Sequence, residues 1–285
     1  MTKLRRRMEE ELKVRNYRPP TIEAYIAAVR NFARFHGRSP DQMGAEEVRA
    51  YLLHLTEERK LSWSTINQTI CGIRFFYTKV LGRPIEVGKV AYQKRQRKLP
   101  SVLSEQEIIR LLDASADLKE RVILMTLYSG GLRLRELIEL QPRDIDSVSM
   151  RIRIRDGKGG KERYVVLSTT LLEALRRYFR QFRPKEWLFY AGSPELPVNP
   201  RTIQRMVREV ALRAELSKHV TPHTLRHSYA THLLDHGTNL RYIQELMGHK
   251  SSKTTELYFH VSQHALGKVV SPLDRLCVKT GKTAS

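Results

Sequence analysis

In Thr221-Pro222-His223-Thr224-Leu225-Arg226-His227, a histidine and an arginine stand three residues apart just behind a helix-starting Thr-Pro pair. At that spacing both side chains share one face of a first helical turn, where unpaired backbone N–H groups also favour an anion. A phosphate could sit there. Farther on, Leu246-Met247-Gly248-His249-Lys250-Ser251 puts a second histidine directly after a glycine, and Thr254-Thr255-Glu256-Leu257-Tyr258 brings a tyrosine nine positions after His249. Upstream, Gly131-Leu132-Arg133-Leu134-Arg135-Glu136-Leu137 offers Arg133 at the predicted beginning of a helix, and Asp156-Gly157-Lys158-Gly159-Gly160 offers Lys158 on a glycine-rich turn. Phosphodiester transfer needs a nucleophile, cations for the non-bridging oxygens and an acid for the leaving oxygen. A phenol, two guanidinium groups, two imidazoles and an amine could supply all three. Taken singly, each also reads as an ordinary surface or packing residue. Their order and spacing together carry the signal. Clustered Asp/Glu at metal-ligand spacing is absent from the sequence, so the arginines are expected to neutralise the phosphate, with no metal or cofactor.

The elements that must hold these groups read as mainly α with one small antiparallel sheet. Ile22, Ile26, Val29 and Ala33 recur at helical spacing over Thr21 to Phe35; Val48, Leu52 and Leu55 do so from Ala45 to Glu58; Ile66, Ile70, Ile73, Phe76 and Val80 do so from Ser64 to Leu81. Ser104-Glu105-Gln106-Glu107 is a capping box that should open another helix. Leu124 to Tyr128 completes the next, Gly130-Gly131 breaks it, and Leu134, Leu137 and Ile138 point inward from a third over Leu132 to Leu140. Met150 to Arg155 alternates with period two and is followed, across the glycine-rich turn, by Tyr164-Val165-Val166-Leu167, which predicts a hairpin with a strongly basic tip. Helices are then expected over Leu171 to Phe182, Pro200 to Glu215 behind Asn199, Pro222 to Asp235 behind Thr221, and Leu240 to Met247.

A length of 285 residues and 41% hydrophobic content suit two folded domains. The formal charge of +21 is spread along the chain and favours a polyanionic partner over a membrane, for which a basic amphipathic helix or lipidation signal would be needed. Cys71 and Cys277 lie far apart, so a disulfide framework is not expected and a reducing compartment fits. Residues 1–92 are expected to form an all-α domain whose outer faces carry Arg30, Arg34, Arg49, Lys60, Arg74 and Lys79. Residues 93–100, with Lys94, Arg95, Arg97 and Lys98 ahead of Pro100, read as a basic linker suited to phosphate contact, and residues 101–285 as the chemistry-bearing domain.

The motifs GLRxxEL, GKGGKxR, HxLRHxxAT with HLL, LMGHxSxxTT and the following LY resemble the catalytic domain of the tyrosine recombinases, the phage integrase family, and especially their Xer-type members and transposon and phage relatives. The N-terminal helices resemble that family's SAM-like core-binding domain. The resemblance implies a two-domain C-shaped DNA clamp. In it Arg133 and Arg226 hold the scissile phosphate, Lys158 protonates the leaving 5′ oxygen and His223 serves proton transfer. His249 bonds to the phosphate, Tyr258 becomes the 3′-phosphotyrosyl link and Glu136 buttresses Arg133. It further implies paired sites on double-stranded DNA, a homotetramer in which a second recombinase can take part, a Holliday junction intermediate, a C-terminal helix after Val261 that docks on the neighbouring protomer, and a cytoplasmic, nucleoid-associated protein. Arg30, Arg74 and the four linker cations are candidate DNA contacts. Two features depart from the pattern: Arg135 stands where many relatives have a small hydroxyl residue, and Phe259 where threonine is frequent. A type IB topoisomerase or a non-catalytic DNA-binding regulator would share part of this reading.

The chemistry is consistent with those roles. A phenol of pKa ~10 costs roughly 4 kcal/mol to ionise at pH 7, and nearby arginines lower that cost. The leaving alkoxide is about as basic as hydroxide, whose parent water has pKa ~15.7, so an acid at Lys158 has a large effect to supply. Charge of this size also predicts that binding to duplex DNA, followed by fluorescence anisotropy, weakens steeply as salt rises from 50 to about 200 mM; a flat dependence would contradict a phosphate-dominated interface.

Overall fold

A computed structural model describes residues 2–83, 100–155 and 162–248. It divides into two compact units, Met1–Arg97 and Lys98–Ser285. Lys158, His249, Tyr258 and Phe259, the linker cations Lys94, Arg95, Arg97 and Lys98, and the C-terminal tail all lie outside the described residues.

The first unit is helical throughout its described part. Helix α1 (Lys3–Val14) precedes every helix expected from apolar spacing, and Thr2 caps it by accepting from the Arg5 N–H. Its charges conceal a thin stripe, one residue per turn, of Leu4, Met8 and Leu12, the last two buried. Helix α2 (Pro19–His36) starts on its prolines and stops at Gly37, whose φ of 63° a non-glycine residue rarely adopts. It buries Val29 as the spacing predicts, together with Ala28 and Phe32, whereas Ile22, Ile26 and Ala33 are half-buried. Helix α3 (Ala45–Glu57) buries Val48, Leu52, Leu55 and also Tyr51. Helix α4 (Trp63–Phe75) crosses α2 closely: a Cβ on Gly72 would lie 3.1 Å from the Tyr25 Cα. The predicted continuation to Leu81 runs through a π-turn, Phe76–Val80, which turns Phe76, Tyr77 and Val80 inward together. Arg30, Arg34, Arg49, Lys60 and Lys79 are exposed, and Arg74 is half-buried.

The second unit packs helices around a small sheet. Helix α5 (Glu105–Asp113) opens with the predicted capping box: Ser104 accepts from the Glu107 N–H at 3.2 Å and Glu107 accepts from the Ser104 N–H at 2.7 Å. Helices α6 (Leu118–Ser129) and α7 (Leu134–Ile138) follow. Strands β1 (Ile145–Asp146), β2 (Arg151–Ile154) and β3 (Arg163–Val166) form an antiparallel sheet in that order, with Ile152 opposite Val165 and Ile154 opposite Arg163. Ile152, Ile154 and Val165 face the core that they share with Leu171 and Leu175 of α8 (Thr169–Phe182). A two-stranded sheet of β4 (Tyr190–Ala191) and β5 (Ser193–Pro197) was not anticipated, because its short strands lack apolar alternation. Helices α9 (Pro200–Arg213), α10 (Pro222–Asp235) and α11 (Leu240–Met247) complete the unit.

Helix α10 is buried on nearly every side, and several of its polar residues are bonded in place, while the buried Thr231 hydroxyl has no partner among the described residues. Ser228 accepts from the Leu103 N–H and donates to the Thr224 carbonyl, both at 2.9 Å. The base of the β2–β3 hairpin is tied down from below by Asp144, only 2% exposed, which accepts from Arg155 Nε at 2.9 Å, Arg153 Nε at 3.3 Å and the Gln141 N–H at 2.9 Å. Removing that carboxylate strands the part-buried Gln141 amide and releases three charge-assisted bonds from Arg153 and Arg155, whose partial exposure brings each below the about 1.5–3 kcal/mol of a buried one. Asp144→Ala is therefore expected to lower stability by about 2–4 kcal/mol in urea unfolding, whereas Asp146→Ala, at an exposed turn in the same segment, should change it far less.

Candidate active site

Three separate segments converge on one carboxylate. Helix α6 ends at Ser129, and Gly131, at φ +55°, reverses the chain. No larger residue fits there: a Cβ would fall 2.4 Å from Tyr229 Cδ1. The reversal makes Arg133 the N-cap of α7, and Glu136, three residues on, reaches back to accept from the Arg133 N–H at 2.8 Å and from Arg133 Nη1 at 2.7 Å. Arg163 enters from β3 and grips the same carboxylate with both terminal nitrogens at 2.8 Å, the two-pronged geometry in which a guanidinium best matches a carboxylate. Arg226, from the second turn of α10 and only 3% exposed, holds its Nη1 3.8 Å from Glu136 Oε2.

Each arginine also holds one carbonyl at the C-terminal end of α11. Arg163 Nε donates to the Leu246 carbonyl at 2.8 Å, Arg226 Nη2 to the Met247 carbonyl, and Arg133 Nη2 to the Gly248 carbonyl at 3.0 Å. Arg226 Nη1 donates to the Gly131 carbonyl. The last carbonyls of a helix lack intrahelical partners and carry the negative end of its dipole, so three guanidinium groups suit them both as donors and as charges. Gly248 ends α11 at φ +58°, and a Cβ there would press 3.1 Å from Arg163 Cδ. His249 is the next residue in the sequence.

Burial by itself would raise the Glu136 pKa. The bonds and charge of Arg163, then those of Arg133, outweigh it and hold the carboxyl at about 2, so it is ionised at neutral pH. Three cations around one anion leave the cluster with two net positive charges, which a phosphodiester would meet favourably. His223 lies exposed in the first turn of α10, and its pKa is lowered by the protein crowded against its inner side and by the charges of Arg226 and Arg133. It is neutral at pH 7, with one nitrogen able to accept a proton. His227, one turn on and deeper, is pushed to about 4 by burial, His223 and Arg226.

Of the residues expected to do chemistry, Arg133, Arg226, His223 and the supporting Glu136 are thus brought together. Arg30 and Arg74 belong to the other compact unit. Arg163 is the member that motif reading passed over, although it lies inside GKGGKxR. The available signal was its parity: Arg163 shares the inward face of β3 with Val165, an unusual place for a cation unless a carboxylate waits beneath. Among the described residues no group of three or more His, Cys, Asp or Glu side chains could hold a metal ion.

An arginine-walled, anion-directed site on a mainly helical scaffold with one β-hairpin defines a class of phosphate-handling protein. Residues 101–264 match the phage integrase family, and residues 4–87 match the N-terminal SAM-like domain of phage integrases. The chain is 42% identical over 279 residues to a putative integrase/recombinase of Sinorhizobium fredii, covering 97% of this chain and 90% of that one. It is 37% identical to the tyrosine recombinase XerC of Pelobacter propionicus, covering 90% and 89%. Among solved structures, XerA recombinase shares 31% identity with a TM-score of 0.55 over 93% of this chain and 95% of that one. A lambda integrase dimer bound to a COC′ core site shares the fold at a TM-score of 0.74 with 18% identity, over 88% and 95%. The chain therefore belongs to the phage integrase family, as a tyrosine recombinase of Xer-like type.

The Glu136 carboxylate links the site to pH. Its folded pKa is depressed from 4.5 to about 2, so its contribution to stability is complete above 4.5 and is lost as pH falls from there toward 2. The amount is about 3 kcal/mol at ~1.36 per unit. Urea unfolding at pH 6 and pH 3 should show a loss of about 2 kcal/mol, the part of that amount titrated by pH 3, beyond what Glu136→Gln shows; equal pH dependence in both proteins would mean that Glu136 is not the linked group.

Proposed function

We propose that the chain recombines double-stranded DNA at paired recognition sites by cutting and rejoining strands through a 3′-phosphotyrosyl link at Tyr258 and a Holliday junction, without metal or other cofactor. The observation that carries this reading is the cluster in which Glu136 and the end of α11 hold Arg133 and Arg226 beside a neutral His223. The Tyr258 oxygen attacks phosphorus, the bond to the 5′ oxygen breaks, and Lys158 supplies the proton that oxygen takes up. His223 takes the phenolic proton, and the Arg133 and Arg226 guanidinium groups stabilise the charge that grows on the non-bridging oxygens. His249, directly after the anchored Gly248, adds a bond to the phosphate. Rejoining reverses each step with an incoming 5′-hydroxyl. The ester energy is kept in the phosphotyrosine, so no ATP is needed.

In this reading residues 1–92 are the core-binding domain, 93–100 the basic linker and 101–285 the catalytic domain. Arg30, Arg74, Lys94, Arg95, Arg97 and Lys98 contact phosphates. A homotetramer assembles on paired sites, a second recombinase can share it, and the tail after Val261 docks on the neighbouring protomer. The solved lambda integrase structures, a dimer on a core site and a tetramer on a Holliday junction, support this by likeness of fold. In the same reading the protein works in the cytoplasm, in association with the nucleoid, where a DNA substrate lies; among the described residues no helix is long and apolar enough to cross a membrane.

The test is a nicked suicide duplex carrying a site that the protein itself selects from a random duplex library. A covalent protein–DNA adduct on a denaturing gel is expected, absent in Tyr258→Phe and formed about 10²–10³-fold more slowly in Arg226→Ala. An adduct that persists in Tyr258→Phe would overturn the nucleophile, and plasmid relaxation with no recombined product would favour a topoisomerase.

A further inference from the structure

We infer that Arg163 is a positioning residue for strand cleavage: it occupies the Glu136 carboxylate and the Leu246 carbonyl at once, and so keeps Arg133, Arg226 and the exit of α11 in their phosphate-binding arrangement. This rests on the function proposed above and adds a residue to which that proposal gives no role.

The geometry separates Arg163 from the groups that meet substrate. Its side chain is only 11% exposed, and Nε, Nη1 and Nη2 each donate within the protein. Its stem also packs under Gly248, 3.1 Å from where a Cβ would stand. Each Glu136 oxygen is shared: Oε1 takes Arg133 Nη1 and Arg163 Nη1, and Oε2 takes the Arg133 N–H and Arg163 Nη2. Without Arg163, half of the donors on that carboxylate disappear. A buried anion short of donors draws the remaining cations inward. Arg226, already within 3.8 Å of Oε2, is the group placed to collapse onto it. That move would pull Arg226 off the Met247 carbonyl, while the Leu246 carbonyl would lose the bond from Arg163 Nε. The two ends of the effect meet at Gly248, immediately before His249.

Lysine cannot replace this residue. A single ammonium can pair with Glu136, but it lacks the planar fork that spans a carboxylate and a carbonyl together. Arg163→Met, close to it in length and apolar, removes the charge as well.

The experiment compares wild type, Arg163→Lys and Arg163→Met in the full chain, using the self-selected nicked duplex at saturating protein. DNA affinity is expected to stay within about threefold, because the Arg163 side chain is only 11% exposed and each of its nitrogens donates within the protein, while single-turnover adduct formation slows about 10-fold in Arg163→Lys and about 100-fold in Arg163→Met. A second substrate carries sulfur in place of the bridging 5′ oxygen, a leaving group that needs no proton. The Arg163→Met deficit should persist on it, since the loss lies in phosphate charge stabilisation; recovery to the wild-type rate would place Arg163 behind the leaving-group acid and overturn the assignment. Wild-type cleavage by Arg163→Met on the ordinary substrate would overturn it too. Hydrogen exchange gives a readout independent of cleavage: amides of the 240–248 segment should exchange about 10-fold faster in Arg163→Met, with the α8 segment unchanged, and equal exchange would refute the anchoring. If the wild type formed no adduct, the proposed function would fall while exchange still decided the role of Arg163.

Discussion

The catalytic unit depends on how the end of α11 is satisfied. Three successive carbonyls, of Leu246, Met247 and Gly248, each accept from a different arginine, and the three arginines come from β3, α10 and the start of α7. Left buried without donors, such carbonyls would cost on the order of 1–3 kcal/mol each. Guanidinium groups brought there without a counter-charge would cost more. Glu136 resolves both problems: one carboxylate serves as the hub for all three cations, and the remaining donors are turned toward the helix end.

That hub explains features with no chemistry of their own. Gly131 must be glycine because the chain reverses against the Tyr229 ring, and only that reversal sets Arg133 at the N-cap and Gly131 oxygen under Arg226. Gly248 suits glycine because its φ of +58° is one that side chains rarely adopt, and because Arg163 packs 3.1 Å from where a side chain would start. The hairpin is held by carboxylates on both strands: Asp144 takes Arg155 at the end of β2, and Glu136 takes Arg163 at the start of β3. Lys158, in the segment between those two arginines, is thereby tied in sequence to two fixed points.

The same arrangement suits a tyrosine recombinase, whose substrate is an anion that must gain charge in the transition state. A site with net positive charge and its donors already oriented spends little on reorganisation when the phosphate arrives. Burial on its inner side, and then the charges of Arg226 and Arg133, lower the His223 pKa and favour the neutral state in which it can take a proton. Ordinary stability and pre-organisation thus come from the same bonds, which is why Glu136 is far more acidic than a free carboxylate.

Much of this was legible in the sequence, and for a physical reason. Local signals fix local structure: the Ser104–Glu107 box, the Asn199 and Thr221 caps, the glycines after α6 and α11, and the alternation of β2 all encode their geometry within a few residues. The order of Arg133, Lys158, His223, Arg226, His249 and Tyr258 identified the family, because such an order is improbable by chance. Helix α1 escaped because its apolar stripe is a single residue per turn among charges, and the π-turn after α4 and the short β4–β5 pair escaped because their stabilisation lies in packing rather than in periodicity. What the tertiary structure alone decided is which partners the ions choose. Glu136 and Arg163 are 27 residues apart, and Arg133 and Gly248 115 apart; no local rule links them. A buried charge takes whichever partner the fold brings within reach, and the fold brought three arginines to one glutamate at the end of a helix.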